Sequence, residues 1–183
     1  MRVLSPAWRA IKAPSAATDN FINAIAVQEG NGNVIWVGHN NGELYKSTDG
    51  LSSTPTWARV GAATLPARRV MSILTDPANA NHVIVALTGF VANNLWQTTD
   101  GGASWSSITG NLPFAPIFDV KRHPSNASWL YVGTSVGIFT SEDGGASWST
   151  TDEGPANIRV RQLFWIDGST LGAATFGRGM FNV

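Results

Sequence analysis

Ser141-Glu142-Asp143-Gly144-Gly145-Ala146-Ser147-Trp148 recurs as Thr98-Thr99-Asp100-Gly101-Gly102-Ala103-Ser104-Trp105. A looser copy opens at Ser47-Thr48-Asp49-Gly50 and reaches its tryptophan, Trp57, after three additional residues. A carboxylate ahead of two glycines can accept bonds from the backbone N–H groups of the turn it begins, while the glycines supply positive φ at low cost. The tryptophan five positions after the aspartate opens the next strand, and its ring can fold back over the turn and shield those bonds. Each copy is therefore expected to be a fixed hairpin corner. The aspartates Asp49, Asp100 and Asp143 lie 51 and 43 residues apart, close to the roughly 40–50 residue period of propeller blades.

Outward from each corner the same order of short strands repeats. Strands are expected over 24–27, 34–37, 43–46 and 57–60, then over 70–75, 82–87, 94–97 and 105–108, then over 117–121, 129–132, 137–140 and 148–150. The closing segment supplies three more, over 159–165, 171–174 and 179–181, with Phe181 falling where Tyr45, Trp96 and Phe139 fall in their units. Its missing fourth strand has a counterpart near the start, Trp8-Arg9-Ala10-Ile11, which matches Trp105-Ser106-Ser107-Ile108. Pairing that strand beside the last unit would close a ring and remove an exposed edge. The expectation is an all-β single domain over 1–183: a β-propeller of four four-stranded antiparallel blades at about 22–60, 70–108, 116–150 and 158–183 plus 7–12. The alternative is part of a seven- or eight-bladed ring. A closed four-blade ring would be a monomer; otherwise the chain would be a homo-oligomer or part of a longer one.

The octet resembles the Asp-box, or bacterial neuraminidase repeat, Ser/Thr-x-Asp-x-Gly-x-Ser/Thr-Trp. The matching residues are Thr98, Asp100, Gly102, Ser104 and Trp105, then Ser141, Asp143, Gly145, Ser147 and Trp148, with Ser47, Asp49 and Trp57 from the looser copy. This family includes sialidases, xyloglucanases and sortilin-like propellers. The resemblance implies that the box is structural, sits between the third and fourth strands of a blade, and lies away from the functional rim. It also favours a secreted or periplasmic location, and the run 174–179 is similar to the closing blade of bacterial relatives.

Composition narrows the function. The formal net charge is zero and only 13% of residues are charged, with no basic run, so nucleic acid and anionic membranes are poor partners. Cysteine is absent, which excludes disulfides and thiolate metal sites. The longest aliphatic run, 83–87, is too short to span a bilayer. His39, His82 and His123 fall in different units, so no metal site is expected. The turns at 29–33 and 76–79 offer oxygens suited to calcium, but their residues are ordinary turn formers. No cofactor motif is present.

The rim opposite the boxes would gather Arg68, Arg69, Arg159, Arg161, Arg178, His39, Phe90 and Phe176. Arginine forks suit a carboxylate or phosphate; their ordinary explanation is solvation or pairing with Asp19 and Asp119. Trp36, Trp96, Trp129 and Trp165 could stack on sugars or pack between blades. Hydrolysis of a glycoside needs two opposed carboxylates, or in sialidases a tyrosine nucleophile with arginines on the substrate carboxylate. Only Tyr45 and Tyr131 exist, both in strands, and no second acid aligns with Asp119. The sequence thus reads as a non-catalytic binding or scaffold propeller recognising a carbohydrate or protein, with a glycoside hydrolase, sialidase-like or xyloglucanase-like, or a fragment of one, as the alternative.

Overall fold

The computed structural model describes residues 9–13, 19–149 and 157–182. Within them, four antiparallel sheets follow one another in chain order. The first sheet holds β1 (Ile22–Gln28), β2 (Asn31–His39), β3 (Leu44–Ser47) and β4 (Ala58–Val60). The second holds β5 (Val70–Asp76), β6 (Asn79–Leu87), β7 (Leu95–Thr98) and β8 (Ser106–Ser107). The third contains β9 (Ile117–Arg122), β10 (Leu130–Thr134) and β11 (Ile138–Ser141), and the fourth β12 (Val160–Trp165), β13 (Leu171–Thr175) and β14 (Met180–Asn182). All are meanders. The equivalence read from the sequence holds: Tyr45, Trp96, Phe139 and Phe181 each stand opposite the same position of the second strand, at Val37, Val85, Val132 and Ala173.

The second strand of each sheet lies between two others and is covered on both faces, which is why Val34-Ile35-Trp36-Val37 and Val83-Ile84-Val85 are continuous apolar runs rather than alternating ones. Neighbouring sheets pack face to face around three cores. The first gathers Ala24, Trp36 and Leu44 of sheet one with Val70, Val85 and Trp105 of sheet two. The second joins Ile84, Leu95 and Ile108 to Val120, Val132 and Trp148. The third joins Ile138 to Val160, Leu163 and Ala173. A small residue repeats at one position of the second strand: Gly38, Ala86, Gly133 and Ala174 face Ala24, Ser72, Asp119 and Gln162 across the ladder. At Gly38 a Cβ would stand 2.4 Å from Val70 Cγ1, and at Gly133 it would stand 2.9 Å from Val160 Cγ1. The missing side chain makes room for the first strand of the next sheet.

The first strands stand side by side, β1 against β5, β5 against β9 and β9 against β12, and no extended contact joins β12 to β1 among the described residues. The expected return of the opening strand to the last sheet is not what the structure shows. Arg9–Ala13 carry no strand and lie against sheet one instead: Trp57 Nε1 donates to Ile11 O at 2.8 Å, Arg9 Nη2 donates to Ser52 O at 3.1 Å, and Lys12 Nζ sits 4.1 Å from the centre of the Tyr45 ring. The physical reason is local. Among the described residues no sheet precedes sheet one to cover Trp57 and Tyr45, and Arg9–Ala13 occupy that place. Trp8 lies outside the described residues. So does residue 150 of the expected fourth strand of unit three; 148 and 149 carry no strand, though Ser149 donates its N–H to Thr140 O at 2.8 Å.

Candidate functional site

Each blade presents two rims, one carrying the boxes and one carrying the loops that lead into its first strand. The box rim is structural at every copy. Asp100 accepts from Thr98 Oγ1 (2.7 Å), from Ser104 N (2.9 Å) and from Ser104 Oγ (2.5 Å), while Gly102 N donates to Thr98 Oγ1 at 2.9 Å. Asp143 repeats this with Ser141, Ser147 and Gly145. In the interrupted copy Thr56 takes the place of the serine, donating N–H and hydroxyl to Asp49, so the insertion bulges out of an intact corner. The Ser147 hydroxyl and N–H, followed by Ser141, hold the Asp143 carboxyl down to about 2. Ionised near neutral pH and already engaged by three donors, the carboxylate is suited to holding its turn rather than to giving up a proton. The box tryptophans do more than roof their own turn. Trp105 stands edge-on to Trp36 of the preceding sheet with ring centres 6.3 Å apart, and Trp148 Nε1 donates to Ile108 O of the preceding sheet.

The opposite rim holds a cavity of about 590 Å³ lined by all four blades, within the size range of small-ligand sites. Its construction rests on a repeated irregularity. Near the start of each first strand the register slips by one: Ile22 and Ala24 face His39 and Gly38, Val70 and Ser72 face Leu87 and Ala86, Ile117 and Asp119 face Thr134 and Gly133, and Val160 and Gln162 face Thr175 and Ala174. The residues left over are Asn23, Met71, Phe118 and Arg161. All four line the cavity, because a bulge bends the strand and re-aims the side chain that has no partner opposite. Arg69 joins them. The Arg161 guanidinium carbon lies 5.2 Å from the centre of the Phe118 ring, and that of Arg159 lies 5.4 Å from the rings of both Phe118 and Phe176. Arg69 stands 5.6 Å from Phe21.

Of the arginines singled out in the sequence, Arg69 and Arg161 thus reach the cavity and Arg159 stacks beside it with Phe176. Arg68 also lines the wall, but its guanidinium is bound to Ala92 O, Asn93 O and Asn94 Oδ1, which makes it a clamp on the loop before β7. His39 is fully buried with neither ring nitrogen hydrogen-bonded, so it is a core residue and no ligand reaches it; burial, then the Lys12 charge, pushes its pKa down. Phe90 is exposed but stands outside the cavity lining, and Arg178 is exposed at the turn before β14. The sequence reading missed Asn23, Met71 and Phe118. The available signal was the break in strict alternation at the start of each first strand.

Asp119, the inner-strand acid, is a staple across three blades. It accepts from Ser72 Oγ at 2.7 Å, from Leu163 N at 2.9 Å and from Val120 N at 2.9 Å. Tyr45 OH donates to Glu43 at 3.4 Å, and burial first and the Glu43 charge second push its pKa up, opposite to what an activated nucleophile needs. Among the described residues no group of three or more histidines and carboxylates is placed to hold a metal ion. Of the tryptophans with freer roles Trp36 is fully buried, Trp96, Trp129 and Trp165 are half-buried, and Trp165 donates to Arg122 O and meets His123 edge-on at 5.1 Å. On the box rim, Asp76 joins His82 at 3.0 Å and Arg122 of the next blade, closing another bridge between sheets.

No family profile matches the chain. A xyloglucanase of Hypocrea jecorina (strain QM6a) is 28% identical over 108 residues, which make up 59% of this chain and 12% of that protein. The crystal structure of an ancestral GH74 enzyme superposes with a TM-score of 0.68 at 26% identity, covering 84% of this chain and 22% of that one. The structure of YCF48 bound to D1 peptide has a TM-score of 0.60 at 22% identity over 84% of this chain and 47% of that one. The chain therefore spans about an eighth of the xyloglucanase it matches. With the octet bonded at each of its three copies and an antiparallel sheet around each, the described sheets are similar to a run of blades within the larger propellers of xyloglucanases.

Proposed function

We propose that the chain supplies consecutive blades of a larger ring and binds a carbohydrate, without cleaving it, on the rim opposite the boxes. The observation that carries the binding reading is the cavity on that rim: all four blades contribute to it, and its lining has guanidinium, amide, thioether and aromatic groups but no carboxylate. A hydrolytic centre of the usual kind needs two. The larger ring is supported by the two end faces. Ile25 and Val27 of β1 are 63% and 51% exposed, whereas Val120 and Leu163, which correspond to Ile25, are fully buried by a preceding sheet. Ala174 stands where Gly38 and Gly133 admit the first strand of the following sheet, and it remains half-exposed.

A second reading, that these blades belong to a glycoside hydrolase, draws on the likeness to xyloglucanases; the acid pair would then come from outside the described residues. Calorimetric titration of the purified chain with xyloglucan oligosaccharides and acidic oligosaccharides, with reducing-end release followed in parallel, tests both. Binding without release is the expected result. Release of reducing ends by this chain alone overturns the non-catalytic reading, and absence of binding to every glycan overturns the carbohydrate reading in favour of a protein ligand.

A further inference from the structure

The four bulge residues share a position in the repeat but not a chemistry. A residue needed only to bend the strand could be the same in each blade. Here the extra residue is an amide in blade one, a thioether in blade two, a phenyl ring in blade three and a guanidinium in blade four. The Asn23 amide is engaged, donating to Val70 O at 2.7 Å and touching Met71 Sδ at 3.7 Å, and so ties blade one to blade two at the cavity wall. Phe118 lies close to two guanidiniums, those of Arg159 and Arg161. Contact with an aromatic ring fixes a planar cation without consuming its in-plane N–H donors, which leaves the fork free for an oxyanion.

The cavity lining carries arginines and no carboxylate although the whole chain is formally neutral. Arg69 and Arg161 line the cavity, and Arg159 stands behind Phe118. Two of the nearby acids are engaged elsewhere. Asp119 is buried and bonded to Ser72, Val120 and Leu163, and Glu43 pairs with Arg59 at 3.5 Å and accepts from Asn20 at 2.9 Å. Phe176, 68% exposed beside Arg159, extends the polar wall with an aromatic face on which a sugar ring can stack.

We infer that the cavity takes an acidic oligosaccharide, with carboxylates of its uronate residues held by Arg69 and Arg161 and a neighbouring ring stacked on Phe176. This rests on the carbohydrate reading above and adds the charge of the ligand. Each arginine–carboxylate contact is a charge-assisted pair in a partly enclosed site, so loss of one arginine weakens binding by at least about tenfold.

The test is calorimetric titration of the whole chain with three probes: oligogalacturonate, the same oligosaccharide fully methyl-esterified, and a neutral xyloglucan oligosaccharide. The free acid binds at least about tenfold more tightly than its ester, and its affinity falls as salt is raised from about 50 to 500 mM. Arg161→Gln and Arg69→Gln each weaken the free acid by at least about tenfold while keeping the thermal midpoint of the parent. Arg9→Gln, which lies near Ser52 at the box rim, leaves binding unchanged. Equal binding of acid and ester, or tighter binding of the neutral oligosaccharide, overturns the acidic-ligand inference while the carbohydrate reading stands. If no probe binds, both fall. If Arg9→Gln is as damaging as Arg161→Gln, the attraction is diffuse and the site assignment is wrong.

Discussion

Replacing Asp119 by alanine distinguishes an acid that holds blades together from one that works on a ligand. Three donors converge on its carboxylate: Ser72 Oγ from blade two, Val120 N within blade three and Leu163 N from blade four. The hydroxyl can rotate to another acceptor, but the two backbone N–H groups cannot, and both residues are fully buried. Leaving a buried donor without a partner costs about 1–3 kcal/mol, so the alanine variant loses about 2–6 kcal/mol. The Lys121 ammonium, 3.5 Å away and one-third exposed, adds at most about 1 kcal/mol. Against a domain stability of roughly 5–15 kcal/mol, that is a large fraction. Asp119→Asn keeps one acceptor oxygen and turns a donor toward the other N–H, so it falls between the two. Urea denaturation followed by tryptophan fluorescence measures the loss, and hydrogen exchange locates it, with the Leu163 amide losing its protection first. An unfolding free energy within about 0.5 kcal/mol of the parent, with Leu163 still protected, would refute the staple.

Three further outcomes follow from the packing. Trp105→Ala empties the wedge against Trp36 and costs about 3–5 kcal/mol by thermal melting, whereas Trp57→Ala, at a half-buried residue with no preceding sheet among the described residues, costs clearly less; equal losses would show that the wedge role is misassigned. Gly38→Ala places a methyl group against Val70 and destabilises by about 1–3 kcal/mol; if the clash is the cause, Val70→Ala in the same chain recovers part of the loss, and simple additivity would exclude it. His39 is buried with its pKa lowered, so the unfolded chain takes up a proton near pH 6.5 that the folded chain resists. Stability is therefore full above about pH 6.5 and falls as the pH drops below it; His39→Leu flattens that limb in melts at graded pH, and an unchanged limb would place the titration elsewhere.

The repeat made the sheets legible because its signals are local. Asp100 and Asp143 bond their own turns, and the second strands announce burial on both faces through runs such as Val83-Ile84-Val85. The order of strands and the equivalence of Tyr45, Trp96, Phe139 and Phe181 follow from those cues alone. What the sequence did not disclose depends on neighbours distant along the chain. Trp8-Arg9-Ala10-Ile11 has the pattern of a fourth strand, but Ile11 and Lys12 find Trp57 and Tyr45 unprotected and settle there. His39 shares its rim loop with exposed residues, and only the packing of Tyr45 over it shows that it is enclosed. Arg68 and Arg69 are adjacent and look alike in sequence, yet one is spent on three backbone and amide oxygens and the other faces the cavity. The slipped register that aims Asn23, Met71, Phe118 and Arg161 is a property of paired strands, visible in one strand only as a broken alternation.

That slipped register separates two demands that usually compete. The ladder closes on either side of the surplus residue whatever its identity, so exchanging one side chain there leaves the strand pairing in place, at the cost, for Asn23, of its bond to Val70 O. The chemistry of the cavity wall can then change blade by blade, in two touching pairs, Asn23 with Met71 and Phe118 with Arg161, while the sheets keep their pairing. Grafting a different quartet onto positions 23, 71, 118 and 161 should change the chemistry of the cavity wall before it alters how the sheets fold.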